Sequence, residues 1–234
     1  MTVADNIEKL EERIQKACDK ARRKREDVTL MGVSKFIPIE KIKEAYNAGL
    51  RCFGESRVKE AYDKFGGFAG GYNDAKLHLI GSLQRNKAKS AALLFDCIQS
   101  VDMDELIQEL SKHSPLRQEM RLKPLEVMLE FHTGEDSKGG YKDIDALLKA
   151  AELILNGGKL KPVGLMTMAP FTDDTELICS SFKRLVKAQK ELEKRFPLND
   201  RWAYLSMGMS NDFEIAIEQG STLLRIGGAI FKDQ

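Results

Sequence analysis

Paired cysteines are missing from this sequence. Of its 234 residues four are cysteine, Cys18, Cys52, Cys97 and Cys179; they are widely scattered and form no CxxC pair. That spacing argues against a zinc site or a disulfide framework and fits reduced, buried thiols in a cytosol. No apolar run approaches the roughly 18 residues of a membrane-spanning helix. The N-terminal stretch MTVADNIEKLEERI carries acidic residues and no apolar segment, so no secretory signal is expected. An excess of one charge is lacking too. Lys+Arg 37 against Asp+Glu 36 leaves +1, which argues against a general binder of nucleic acid or anionic membrane. The dense basic run RRKR (22–25) is expected to be the solvated last turn of a first helix. No Pro/Ser-rich linker, charge block or repeat divides the chain. Residues 1–234 are therefore expected to form a single domain of a soluble, cytoplasmic protein.

What the chain does have is a 42% hydrophobic content, enough for a sizeable core, and a regular alternation. Val3, Ile7, Leu10, Ile14, Ala17 and Ala21 recur at spacings of four and three and mark one face of a helix. Thereafter short β-rich runs alternate with helical ones: VTLMGVS, RCFG, KLHLIG, FDCIQSV, PLEVMLEFH, KPVGLMTM, WAYLSM and TLLRIG each precede a helix or helical turn. Asp102 reads as the N-cap of one helix, and Asn156-Gly157-Gly158 as the stop of another. Alternation of this kind calls for a parallel sheet. The expected fold class is α/β, a single (β/α)8 barrel with an extra N-terminal helix; an open doubly wound sheet is the alternative.

In such barrels chemistry gathers at the carboxyl ends of the strands. Those ends read Lys35, GES (54–56), IGSLQRN (80–86), QSVD (99–102), HTGEDSKGG (132–140), TMAP (167–170), SMGMS (206–210) and RIGG (225–228). SMGMS closes the seventh strand and opens a helix, with Ser210 expected at its N-cap. A hydroxyl beside free N–H groups suits an anion. RIGG closes the eighth strand, where Gly227 and Gly228 let backbone approach a ligand. The two together point to a phosphate cradle, against the plainer reading of a capped helix start and a glycine turn. Lys35 either snorkels from the barrel mouth or is partly desolvated by the apolar strand end, which favours the neutral amine that attacks a carbonyl. An imine-forming lysine across from a phosphate site suggests a phosphorylated aldehyde, pyridoxal phosphate or a phosphosugar.

The motifs VSK (33–35), FGES (53–56), HLIGSLQRNK (78–87), GLMTMAP (164–170), LSMGMSNDFEIAI (205–217) and GSTLLRIGGAIF (220–231) resemble the pyridoxal phosphate homeostasis protein family over nearly the whole chain. That family is similar in fold to the N-terminal TIM-barrel domain of alanine racemase. The resemblance implies that Lys35 holds pyridoxal phosphate as a lysine aldimine. Ser210 and the N–H groups of Gly227 and Gly228 would bind the phosphate, and Arg225 would face the pyridine nitrogen. An arginine can only donate there, so the ring nitrogen stays unprotonated and the ring is a poorer electron sink. His78 is expected beside the ring, with a satisfied core histidine as the alternative, and Met207 joins the cofactor-contacting set while the neighbouring methionines fill gaps. Lys138 reads as a second, mobile amine or as a solvated loop lysine. Three positions depart from the family pattern: Ser56 and His132 stand where asparagine is common, and Gly228 where threonine is.

Two-base racemisation needs a second acid or base opposite the lysine. Racemases of this fold draw it from a second domain, for which the chain is expected to have no room after the eighth strand unit. The leading expectation is a monomeric, non-catalytic protein that stores or delivers pyridoxal phosphate, with apo-enzymes as recipients. A low-activity racemase or a Schiff-base aldolase acting on a phosphosugar is the alternative.

Overall fold

A computed structural model of the protein describes residues 2–66, 74–134, 139–197 and 202–232. Eight parallel strands close into a barrel in sequence order: β1 (Thr29–Val33), β2 (Cys52–Glu55), β3 (Lys76–Leu79), β4 (Cys97–Val101), β5 (Glu126–Glu130), β6 (Lys161–Met166), β7 (Tyr204–Ser206) and β8 (Leu223–Ile226). Pairing of β1 with β8, from Thr29 opposite Leu223 to Gly32 opposite Ile226, seals the ring. The barrel expectation holds, and the open sheet is excluded.

Side chains alternate along the strands, with register shifts at Ile98/Val101 and Val127/Met128, so the chain builds two cores. Met31, Cys52, Cys97, Met128, Val163, Met166 and Leu223 fill the barrel interior. Leu30, Phe53, Leu77, Val127, Leu205 and Leu224 point outward into a larger core beneath the helices. All four cysteines are free thiols, and burial pushes Cys52 up to about 12.

The outer ring comprises α2 (Ile39–Asn47), α3 (Val58–Phe65), α4 (Ala88–Leu94), α5 (Asp104–Ser111), α6 (Ser114–Glu119), α7 (Ile144–Gly157), α8 (Thr175–Arg195), α9 (Phe213–Glu218) and α10 (Gly228–Phe231). The last of these is a single turn, too short to cover β8. The N-terminal α1 (Val3–Lys20) fills the gap, packing against α9, α10 and α2. A Thr2–Asp5 capping box starts it, and Asn6 Nδ2 donates to the carbonyls of Ile230 (3.0 Å) and Lys232 (3.2 Å). The extra helix thus completes the ring. The RRKR run is corrected: it lies beyond α1 and is anchored. Arg23 donates to Ser221 O at 2.6 Å and Ile217 O at 3.0 Å, and Arg25 pairs with Glu11 at 2.7 Å. Ile217 sits in the last turn of α9 and Ser221 just past it, where cations are favoured.

Candidate functional site

A cavity of about 870 Å³ opens at the carboxyl ends of the strands. Its walls include Lys35, Ser56, Asp102, Glu130, Ser210, Asp212, Arg225, Gly227 and Gly228. Five of the seven residues expected to meet the cofactor therefore converge here.

Lys35 sits in the turn just beyond β1 and is exposed, which matches the snorkelling alternative and not desolvation by the strand end. The turn itself is fixed from behind. Ser34 Oγ donates to Glu55 Oε1 at 2.7 Å, and Lys64 Nζ donates to Ser34 O (2.7 Å), Glu60 Oε1 (2.7 Å) and Glu55 Oε1 (3.1 Å). The N–H of Phe36, at φ 63°, donates to Glu60. Burial drives the Glu55 carboxyl up, against the bonds from Ser34 and Lys64. In Glu60 burial acts the same way, but the bonds from Lys64 and Phe36 outweigh it and hold the carboxyl low. An exposed amine thus stands on a rigid base.

Arg225 points inward from β8 and is 5% exposed. Its guanidinium donates to Ser206 Oγ and to the Thr167 carbonyl, each at 2.7 Å. Ser206 Oγ donates on to Gln99 Oε1 at 2.6 Å, and Gln99 Nε2 meets His78 Nδ1 at 2.9 Å. A line of hydrogen bonds thus runs through the barrel interior and fixes Arg225. Burial lowers Arg225 to about 10, opposed by Asp212 and Glu130, so it keeps its charge at neutral pH.

The phosphate-type corner lies between β7 and α10. Gly208 has φ +99°, and a Cβ there would come within 2.7 Å of Ala216 Cβ. Only glycine relieves both constraints. Ser210 follows in the turn before α9, half-buried and on the cavity wall. It is not the N-cap as expected; Asp212 holds that position and turns its carboxylate back to accept the Met209 N–H. Gly227 and Gly228 open α10, and among the described residues their N–H groups have no backbone acceptor. A Cβ on Gly227 would stand 3.3 Å from Val33 O, so glycine keeps this wall open.

Three other expectations are corrected. His78 faces the barrel interior near its amino end, beside Cys52 and Lys76, and does not line the mouth. It is a core histidine that burial lowers to about 4, with Nδ1 engaged by Gln99. Met207 is fully buried in the outer core, because alternation from inward Ser206 turns it outward; Met209 lines the cavity instead. Asp102 does not cap α5, whose N-cap is Met103; it faces the cavity. Lys138 lies outside the described residues. The sequence reading missed Glu130 altogether, although its parity with inward Met128 two residues earlier marks it. Of the three departures from the family pattern, Ser56 and Gly228 line the cavity, whereas His132 is buried away from its wall.

The residues fit a phosphorylated aldehyde. One wall offers an amine, another a hydroxyl beside two N–H groups that have no backbone acceptor among the described residues, in a glycine-lined corner, and a buried cation lies between the strand ends.

Comparison with known proteins agrees. The family model for the alanine racemase N-terminal domain matches residues 6–234. The chain is 39% identical over 233 residues to the pyridoxal phosphate homeostasis protein of Vibrio alginolyticus, covering 98% of this chain and 97% of that one. The protein of the same name from Aquifex aeolicus (strain VF5) is 35% identical over 235 residues, covering 100% and 99%. PipY of Synechococcus elongatus PCC7942, solved with PLP bound, has a TM-score of 0.84 at 29% identity, covering 99% of this chain and 100% of that one. Alanine racemase of Clostridium difficile 630 has a TM-score of 0.78 at 12% identity, covering 98% of this chain and 57% of that one, a likeness of fold alone. The chain belongs to the pyridoxal phosphate homeostasis protein family, built on the fold of the alanine racemase N-terminal domain.

Proposed function

We propose that this protein binds pyridoxal phosphate and serves its homeostasis, holding the cofactor and yielding it to apo-enzymes. Lys35 would hold the aldehyde end. Ser210 with the N–H groups of Gly227 and Gly228 would hold the phosphate, and Arg225 would face the ring nitrogen. When bound, the cofactor supplies an electrophilic carbon that an amine can hold. The observation that carries this reading is the convergence of Lys35, Arg225 and the Ser210–Gly228 cradle on one cavity.

Retention without robust catalysis follows from Arg225. Its guanidinium stays protonated and can only donate, so it gives the ring nitrogen no proton. Ser206 and Thr167 hold it in place. The exposed Lys35 also leaves the reacting end open to water, which works against carbanion chemistry.

A weak racemase remains the rival, and one observation favours it: Glu130 is an acid in the same cavity that burial, and then Asp102, push up to about 7. Visible spectra decide the binding. Purified protein mixed with pyridoxal phosphate is expected to develop a band that Lys35→Ala lacks; a colourless wild type contradicts the reading. Turnover of an amino acid, lost in Lys35→Ala, contradicts the carrier role.

A further inference from the structure

Ser206, Gln99 and His78 lie behind Arg225, and none of them lines the cavity. Ser206 and Gln99 are fully buried, and His78 is 4% exposed. The direction of their hydrogen bonds follows from one property of Arg225. A guanidinium can only donate, so Ser206 Oγ accepts from it at 2.7 Å. The one hydroxyl proton of Ser206 then goes to Gln99 Oε1 at 2.6 Å. With its oxygen turned to Ser206, Gln99 aims its amide nitrogen at His78 Nδ1, 2.9 Å away. That ring nitrogen has to accept. Burial lowers His78 to about 4 and keeps the ring neutral at neutral pH. The single ring proton therefore sits on Nε2.

His78 Nε2 is buried and has no hydrogen-bond partner among the described residues. A polar cluster kept for stability alone is expected to satisfy such a donor. Here the orphan N–H is the consequence of an order of donors imposed from the barrel mouth. The second terminal nitrogen of Arg225 is tied as firmly. Thr167 O accepts from it at 2.7 Å. The Thr167 hydroxyl is fixed in turn, donating to Phe131 O at 2.8 Å and meeting Thr133 Oγ1 at 2.7 Å. Thr133 Oγ1 meets Ser181 Oγ of α8 at 2.6 Å. A guanidinium held through both terminal nitrogens has little freedom to turn, so Arg225 offers the cavity a donor in a set place.

A donor in a set place discriminates between ligands. A site built to hydrogen-bond one atom rejects the analogue that lacks it, because the buried polar group is then left unpaired. A donor free to swing finds another acceptor and discriminates less.

We infer that Gln99 and His78 are positioning residues that set ligand specificity: acting through Ser206, they hold Arg225 where the cavity favours an aromatic aldehyde phosphate with a bare ring nitrogen over one with carbon at that position. The selectivity rests on the cofactor reading, in which Arg225 faces the ring nitrogen; the order of donors does not.

The test has two arms. Cofactor-free protein carrying histidine labelled with heavy nitrogen is studied by NMR at neutral pH. The chain has three histidines, and the signal of His78 is the one lost in His78→Phe. A protonated Nε2 with a bare Nδ1 is expected; a proton on Nδ1 overturns the proposal. Dissociation constants are then measured by absorbance for pyridoxal phosphate and for its carbocyclic analogue, in which C–H replaces the ring nitrogen. Wild type is expected to prefer pyridoxal phosphate, and equal binding of the two overturns the proposal. Gln99→Met keeps the volume but removes both hydrogen bonds of the amide. It is expected to weaken pyridoxal phosphate about tenfold and to leave the analogue within about twofold. Gln99→Glu still offers Ser206 an oxygen and is expected to keep the preference. His78→Phe, measured alongside in case Gln99→Met fails to fold, is expected to lower the preference about threefold, as for one neutral hydrogen bond lost. An equal loss for both ligands marks a merely structural role and overturns the proposal, as does a preference unchanged in Gln99→Met and His78→Phe. If neither ligand binds, the cofactor reading fails and the selectivity with it, while the His78 tautomer still decides the order of donors.

Discussion

Arg225 and Glu130 show how single residues set the character of this cavity. Arg225 is buried yet charged, because Ser206 and the Thr167 carbonyl accept from it. Replacing Ser206 with alanine strands the guanidinium N–H and Gln99 Oε1 together. Denaturant unfolding is expected to show a loss of about 1–3 kcal/mol. Glu130 behaves in the opposite sense. Burial and Asp102 raise its folded value from 4.5 to about 7, against the pull of Arg225. Its contribution to stability is therefore fully present below about 4.5 and is lost as pH rises through about 7. The difference in unfolding free energy between wild type and Glu130→Gln is expected to shift toward the variant across that window, by roughly 3 kcal/mol at most. A difference independent of pH contradicts this. Lys35, Arg225 and the glycines were legible in the sequence because they lie at strand ends, where a barrel gathers its chemistry. Glu130 was not, since it closes an apolar run and shows itself only once the inward parity of Met128 is known. The same parity moves Met207 outward. His78 takes a core position because Gln99, a non-neighbour in sequence, meets its ring.

At the scale of elements, close approach of backbones decides the geometry. A Cβ on Gly81, just beyond β3, would stand 2.3 Å from Ser56 O and 2.8 Å from Ser56 Cα, so the loops after β2 and β3 meet at the mouth. Gly208 carries both a positive φ and a contact with α9. Gly208→Ala is expected to cost about 2 kcal/mol or more and to weaken phosphate binding, because Ser210 follows in the displaced turn. Thermal melts with and without inorganic phosphate check both effects. Gly157→Ala, near the end of α7 with nothing within 4 Å of the added carbon, serves as the control and is expected to leave stability within about 1 kcal/mol. The strand–helix alternation announced the eight strands, and the apolar stripe of α1 announced its buried face. That α1 stands in for a full helix after β8 was hidden, because it depends on contacts between opposite ends of the chain. The N-caps were misplaced for a local reason: Asp102 and Ser210 have capping side chains but turn them toward the cavity.

For the whole molecule, the closed barrel places an amine, a buried guanidinium and a glycine-lined corner with the Ser210 hydroxyl around one opening, on strands held by two cores. A ligand bound by the folded state alone must stabilise all of it. At one hundred times its dissociation constant, pyridoxal phosphate is expected to add about 2.7 kcal/mol, a rise in melting temperature of roughly 5–10 °C for a chain of this size, and Lys35→Ala is expected to shrink that rise. No helix among the described residues is long and apolar enough to cross a membrane. The most direct measurement fixes the cofactor where it sits. Borohydride is added to the protein with pyridoxal phosphate, the product is digested, and mass spectrometry locates the modified lysine. The account predicts one dominant pyridoxyl group on the peptide containing Lys35. Modification spread over surface lysines, with residue 35 unlabelled, would contradict it.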